Sequence, residues 1–329
     1  MTAIAHDLSP NALDLDWTAE ASRICDAIAQ IVSRGLNRRG VVLGVSGGID
    51  SAVCAALSAR AVGPQRTFAL LMPEKDSTRD ATNRGEELCR KFGIPYVVED
   101  ITASLEAAGC YSRQVEAIRR LIPAYGQGWR HKIVLSNAVL ERESIPHFQL
   151  VAQSPGGERI TQRMPVDVYL QVVAATNFKQ RIRKNLEYYH AERLNYAVAG
   201  TPNKLEYDLG FFVRGGDGLA DFKPIAYLYK SQVYAMAKAL GVPDSIRSQA
   251  PSTDTYSLPQ SQEEFYFILP YDKADLVLYG MDHNCPPEQV AAAAGLTPAQ
   301  VERVSRDFAA KRIAAARTLR DAYVMPPRG

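Results

Sequence analysis

The sequence predicts an α/β protein built on an open parallel sheet with flanking helices. Three observations carry that expectation. Short apolar runs bounded by turn residues alternate with stretches at helical spacing. The first run, Val41-Val42-Leu43-Gly44-Val45, is continuous, as a strand covered on both faces has to be. It passes directly into a glycine cluster and a helix, the junction at which parallel sheets hold their ligands.

In order along the chain, residues 16–34 predict an amphipathic helix, with Ala21, Ile24, Cys25, Ile28 and Ile31 on one face. The strand at 41–45 follows, then a helix over 51–61, a second buried strand at 67–72, a helix over 79–92 and a third strand at 96–99. A long helical stretch spans 168–193 and leads to a strand at 194–199. Residues 103–164 break the rhythm and predict an insertion of helices and loops at the sheet edge. From about residue 270 the chain predicts a helical C-terminal region, with an Ala-rich helix over 287–294 and a basic one from 298 to about 323. The whole of 1–329 is expected to form one domain around this sheet.

Composition narrows the function. Of 329 residues, 47% are hydrophobic and 22% charged, which excludes a disordered chain. Lys and Arg total 38 against 36 acids, so no basic surplus marks a nucleic-acid binder, and the C-terminal helices alone do not make one. No charge-free apolar run reaches the roughly eighteen residues of a membrane span, and the first fifteen residues lack a signal-peptide core. Five cysteines without a CxxC pair, and five histidines without zinc-ligand spacing, predict a reduced cytoplasmic protein with no zinc site.

The chemistry is concentrated in Gly44-Val45-Ser46-Gly47-Gly48-Ile49-Asp50-Ser51. Adjacent glycines let backbone approach an anion, the serines add hydroxyls, and the following helix offers unpaired N–H groups and the positive end of its dipole. The result is a phosphate cradle. It lacks the Gly-Lys-Ser/Thr of a Walker loop and the spacing of a dinucleotide fingerprint. A carboxylate beside phosphates is repulsive unless a divalent cation bridges them, so Asp50 implies Mg²⁺. A tight turn with Asp50 merely favouring the helix start is the plainer alternative.

The octet resembles the pyrophosphate-binding loop of the ATP pyrophosphatase superfamily. Three later stretches resemble the ammonia-dependent NAD synthetase family within it. They are Asn177-Phe-Lys-Gln-Arg181-Ile-Arg183, then Leu194-Asn-Tyr-Ala-Val-Ala-Gly200-Thr201-Pro-Asn203-Lys204-Leu-Glu206, then Gly210-Phe-Phe-Val-Arg214-Gly-Gly216-Asp217-Gly218-Leu-Ala-Asp221. Leu228-Tyr-Lys230-Ser-Gln-Val and Ala250-Pro251-Ser252-Thr-Asp254 continue the match, which covers roughly residues 20–105 and 165–325.

The resemblance implies an adenine nucleotide alpha-hydrolase-like fold and a homodimer. It implies that Gly44, Val45, Ser46, Gly47, Gly48, Ile49, Asp50 and Ser51 hold ATP phosphates, with Thr201, Lys230 and Ser252 as further ATP contacts. It makes Asp50 and Glu206 magnesium ligands, Asp50 and Lys230 catalytic, and Arg181, Arg214, Asp221 and Lys311 contacts of the dinucleotide. The implied reaction is amidation of nicotinic acid adenine dinucleotide by ammonia through an acyl-adenylate. Arg214 stands where the family usually has lysine, Leu219 replaces a glycine, Ser252 a threonine, and Ala310 a common histidine. These departures keep a different carboxylic acid open as substrate. A tRNA-modifying enzyme on the same loop, and a nucleotide-binding protein without catalysis, are the remaining alternatives. The loop begins at Gly44 with no room for an amidase domain ahead of it, and Cys285 has only His283 nearby. Glutamine is therefore expected to serve only through a separate glutaminase.

Overall fold

The computed structural model describes residues 8, 12–136, 147–250, 255–267 and 269–325. Helix α1 (Trp17–Gln30) begins where the Asp16 carboxylate accepts from Thr18 N and Ala19 N, and it ends in a π turn, Ile31–Gly35. Strand β1 (Val41–Gly44), helix α2 (Ile49–Val62), strand β2 (Thr67–Leu71), helix α3 (Arg79–Phe92) and strand β3 (Tyr96–Val98) follow as expected. Strands β3, β2 and β1 lie side by side and parallel, Val41 opposite Thr67 and Ala69 opposite Tyr96.

Alternation along β1 shows that helices cover both faces of the sheet. Val41 and Leu43 enter one core with Ile24 and Ile28 of α1 and Val53 and Leu57 of α2. Val42 enters another with Leu70, Ile101, Leu105 and Ala191. Each β1 side chain is fully buried, contributing on the order of 2 kcal/mol of apolar transfer energy.

Between 102 and 163 the structure departs from the expectation of helices and loops. Helices α4 (Thr102–Ala107) and α5 (Cys110–Arg119) are present, but an antiparallel sheet follows: β4 (Arg130–Leu135), β5 (Phe148–Gln153) and β6 (Arg159–Arg163). Its inner face is His131, Ile133, Leu150 and Ala152, paired in register. The helical stretch expected over 168–193 is two helices, α6 (Val166–Thr176) and α7 (Phe178–Leu194), divided at Asn177. The strand expected over 194–199 is only β7 (Ala197–Val198), paired parallel with β1, because Leu194 still belongs to α7 and Asn195 turns the chain at φ 55°.

Helices α8 (Lys204–Leu209), α9 (Lys230–Ala239) and α10 (Asp244–Arg247) complete the sheet layer. Helices α11 (Tyr271–His283), α12 (Pro287–Ala294) and α13 (Pro298–Leu319) form the expected C-terminal helical region. Its core of Val277, Val301, Val304 and Phe308 takes in Leu205 and Leu209 of α8, so this region is packed onto the sheet layer. Among the described residues no helix is long and apolar enough to cross a membrane.

Candidate active site

The carboxyl end of β1 opens into a cavity of about 920 Å³. Its floor is the loop 44–51. Val45 N donates to Leu70 O at 2.8 Å, which carries the chain straight off the sheet. Gly47 then adopts φ 78°, and a Cβ there would stand 2.3 Å from the Ala81 carbonyl oxygen. Glycine is required here for both reasons. The Ser51 hydroxyl accepts from Ser46 N (3.2 Å) and donates to Gly48 O (3.0 Å), while Ser46 Oγ accepts from Gly48 N (3.2 Å). Ser51 thus laces the loop from beneath, and Ser46 and Gly48 remain exposed at the α2 N-terminus.

Three charged side chains meet above the loop. Asp50, in the first turn of α2, forms an ion pair with Lys230 Nζ and accepts from Asn203 Nδ2 at 3.0 Å. Asn203 also caps α8: it accepts from Glu206 N, and Glu206 Oε2 accepts from Asn203 N, each at 3.1 Å. One asparagine therefore fixes both carboxylates relative to each other. Burial pushes the Glu206 carboxyl up to about 8, with the Asp50 charge acting in the same sense and Lys230 opposing. Lys230 is 1% exposed. Burial works against its charge, but Asp50 and Glu206 prevail and hold the ammonium above its ordinary value.

The C-terminal helices position this centre. Asp275 of α11 is fully buried and accepts from Lys230 N (3.1 Å) and Ser231 N (2.7 Å), occupying two of the unpaired donors at the start of α9. Burial pushes its carboxyl up to about 6 against those two hydrogen bonds. Gln262 donates to Glu206 Oε1 at 3.3 Å and accepts from the Tyr271 hydroxyl, and the Tyr271 ring lies 5.3 Å from Lys230 Nζ. The first turn of α11 thus supports Lys230 directly and Glu206 through Gln262.

Of the residues singled out from the sequence, the whole octet, Thr201, Glu206 and Lys230 line this cavity. Ser252 lies outside the described residues. Arg181, Arg214, Asp221 and Lys311 are not brought to the cavity. Arg181 Nε donates to Arg214 O at 3.2 Å on an exposed surface. Asp221 accepts from Val198 N (2.8 Å) and the Tyr188 hydroxyl (3.1 Å), and Lys311 pairs with Asp307 and donates to Tyr266 O, both at 2.7 Å.

Sequence reasoning missed Asn203, Asp275 and Glu187. Glu187 of α7 is buried, lines the cavity and is paired with Lys184 at 2.6 Å. Burial raises its carboxyl above the ordinary value, with Lys184 opposing. A Lys–Glu pair three apart in a polar helix reads as solvated surface, so nothing in the sequence marked it. Asn203 had a signal: Asn-x-x-Glu ahead of an apolar residue is a capping pattern. Among the described residues no group of three His, Cys, Asp or Glu side chains gathers as an all-protein metal site. Two carboxylates leaving coordination to phosphates and water is the donor set that suits Mg²⁺.

The chain is 53% identical over 305 residues to the NH(3)-dependent NAD(+) synthetase of Rhizobium rhizogenes, covering 93% of this chain and 92% of that one. A solved NMN synthetase from Francisella tularensis aligns over 95% of this chain and 99% of its own, with TM-score 0.64 and 21% identity. The NH3-dependent NAD synthetase of Campylobacter jejuni aligns over 95% and 100%, with TM-score 0.61 and 24% identity. These two likenesses establish the shared fold. The NAD synthase family model matches residues 20–120 and 156–312, leaving out the whole of β4 and β5. The chain belongs to the NAD synthase family.

Proposed function

We propose that the chain is an ammonia-dependent NAD synthetase, a ligase that amidates nicotinic acid adenine dinucleotide at the expense of ATP. The observation that carries the reading is the meeting of Asp50, Glu206 and Lys230 over a glycine loop at the carboxyl end of β1. In the first step a substrate carboxylate oxygen attacks the α-phosphorus of ATP. A new P–O bond forms, the bond to the β-phosphate oxygen breaks, and pyrophosphate leaves. In the second step ammonia attacks the acyl carbon, the C–N bond forms, AMP departs with the C–O electron pair, and the nitrogen gives up a proton.

The chain's own groups have distinct tasks in this scheme. Gly47 and Gly48 bring backbone close to the departing phosphates, and the α2 N-terminus opposes their charge. Lys230 stabilises the charge that develops on the α-phosphate, where a buried ammonium is worth several kcal/mol. Asp50 and Glu206 would hold Mg²⁺, which neutralises pyrophosphate as it forms. Their enforced proximity, felt in the raised Glu206 carboxyl, would be relieved by a bound divalent cation. Two carboxylates held together by one asparagine above the phosphate loop thus support the metal reading.

The reading extends to a cytoplasmic homodimer. Val166 and Leu170 of α6 and Tyr189 of α7 are exposed apolar side chains of the kind a second copy covers. The described cysteines are all free thiols, which suits a reducing compartment. Arg181, Arg214, Asp221 and Lys311 remain the proposed dinucleotide contacts, outside the lining of the cavity over the loop.

The purified chain tests the proposal with ATP, the dinucleotide acid and one nitrogen source at a time. Ammonium should give pyrophosphate and the amide in equal amounts, read by coupled assay and mass spectrometry. Ammonia-free glutamine should give no amide. Asp50→Ala should lose well over tenfold in pyrophosphate release. Pyrophosphate without amide from this acid would refute the substrate, and full activity in Asp50→Ala would refute the loop assignment.

A further inference from the structure

A second buried ion cluster lies beside the cavity and takes no part in the chemistry above. Lys179, two residues into α7, is 1% exposed. Its Nζ forms ion pairs with Glu74 Oε1 (2.7 Å) and Asp76 Oδ2 (3.0 Å), and donates to the Thr255 carbonyl oxygen at 2.9 Å. These three donations use the full capacity of an ammonium.

The acceptors belong to two separate walls. Glu74 organises the turn after β2: its Oε2 accepts from Asp76 N (3.1 Å) and the Tyr111 hydroxyl (2.7 Å), and its own N–H donates to Ser77 Oγ (3.1 Å). Asp76, Ser77 and Thr78 of that turn line the cavity on one side. Thr255, Tyr256 and Ser257 line it as well, as do Asn177, which caps α7, and Gln180 and Arg183 of α7. Lys179 itself does not reach the cavity.

We propose that Lys179 is a positioning residue that sets the separation of the 76–78 and 255–257 walls and thereby the affinity of the cavity for its nucleotide. The inference rests on the ATP reading above and adds to it a residue that touches neither ATP nor the reacting atoms. A buried ammonium is expensive to place unless each donor is matched, and here the matching spans 105 residues to Glu74 and 76 to Thr255. Removing it takes away the Lys179 tie of the 255–257 wall, which His131 N on Ser257 Oγ still anchors at 2.9 Å, and leaves the Glu74 and Asp76 carboxylates facing each other. Asp50, Glu206 and Lys230 are held by Asn203 and Asp275, so the chemical step keeps its geometry.

Lys179→Met, unbranched, one atom shorter and without charge, tests this. Titration calorimetry with a non-hydrolysable ATP analogue and steady-state kinetics should show Kd and ATP KM raised tenfold or more, with kcat within threefold of wild type. A second variant, Lys179→Met/Glu74→Gln, removes the unpaired buried carboxylate. It should recover most of any lost Tm while Kd stays raised, because the Thr255 tether is still missing. It also carries the test if the single variant does not fold. Wild-type Kd in Lys179→Met, recovery of Kd together with Tm in the double variant, or a loss confined to kcat would each overturn the inference. A wild-type chain that binds no ATP analogue would overturn the ATP reading, and this inference with it.

Discussion

Acid should unfold this protein through His131. The imidazole is 4% exposed, enclosed by Tyr125, whose hydroxyl lies 2.7 Å from Nδ1, and by the Tyr256 ring at 5.5 Å. Burial, reinforced by the Lys179 charge, drives its pKa from 6.5 to about 3. The folded protein therefore keeps the ring neutral while the unfolded chain takes up a proton below about 6.5. Between those values the unfolded state binds more protons, so stability falls as pH falls. At pH 4.5, about two units below the unfolded value, the loss from this one group is about 3 kcal/mol, at 1.36 kcal/mol per unit.

Other groups titrate in the same range, so the measurement is a difference. Urea unfolding of wild type and His131→Phe at pH 7 and pH 4.5 gives two changes in stability. Phenylalanine preserves the aromatic contacts with Tyr125 and Tyr256 and has nothing to protonate. Its change should be smaller than that of wild type by about 3 kcal/mol. Equal changes would refute the reasoning, because they would mean that His131 is protonated in the folded protein or escapes its enclosure without cost.

Two further substitutions have defined outcomes. Gly47→Ala combines a left-handed backbone at φ 78° with a 2.3 Å approach to Ala81 O, whereas Gly63→Ala at φ 93° meets nothing within 4 Å. Gly63→Ala should lose about 1–3 kcal/mol of stability in thermal unfolding from backbone strain alone; Gly47→Ala should lose more, and only it should also lose ATP affinity, by tenfold or more. Asp275→Ala leaves Lys230 N and Ser231 N buried without their acceptor, a cost of about 1–3 kcal/mol. It should lower kcat for pyrophosphate release at least tenfold, with Asp275→Asn intermediate, and unchanged kcat would remove α11 from the support of the site.

The sheet was legible because its strands are buried on both faces. Val41, Val42 and Leu43 supply two cores at once, so a continuous apolar run was the right signature. The antiparallel sheet failed the same test for a physical reason. In β4 the inward positions are His131 and Ile133, and a buried histidine disguises the alternation between Arg130 and Lys132. Strand β6, Arg159–Arg163, is exposed and polar at most positions and forms by hydrogen bonding to β5, which leaves no hydrophobic trace in its own residues. The break at Asn177 was hidden because α6 and α7 continue each other's periodicity on either side of one residue.

The same division runs through the site. The octet was readable because its role depends on its own backbone: Gly47 tolerates φ 78°, Ser51 closes the turn, and α2 begins at Ile49. Asp50 and Glu206 were readable from motif order, but what holds them together was not. Asn203 bonds a carboxylate 153 positions earlier, and Asp275 bonds backbone 45 positions earlier. Asp275 also lies one turn inside α11, where an acidic residue on a helix has the ordinary explanation of a solvated surface charge. Its carboxylate instead serves another helix, and that helix presents Lys230 to Asp50. A polar residue that acts through a distant backbone carries the same local pattern as one that caps its own helix. Only the packing of Tyr271 and Asp275 against the start of α9 tells the two apart, and it makes the C-terminal helices a support of the proposed adenylation centre.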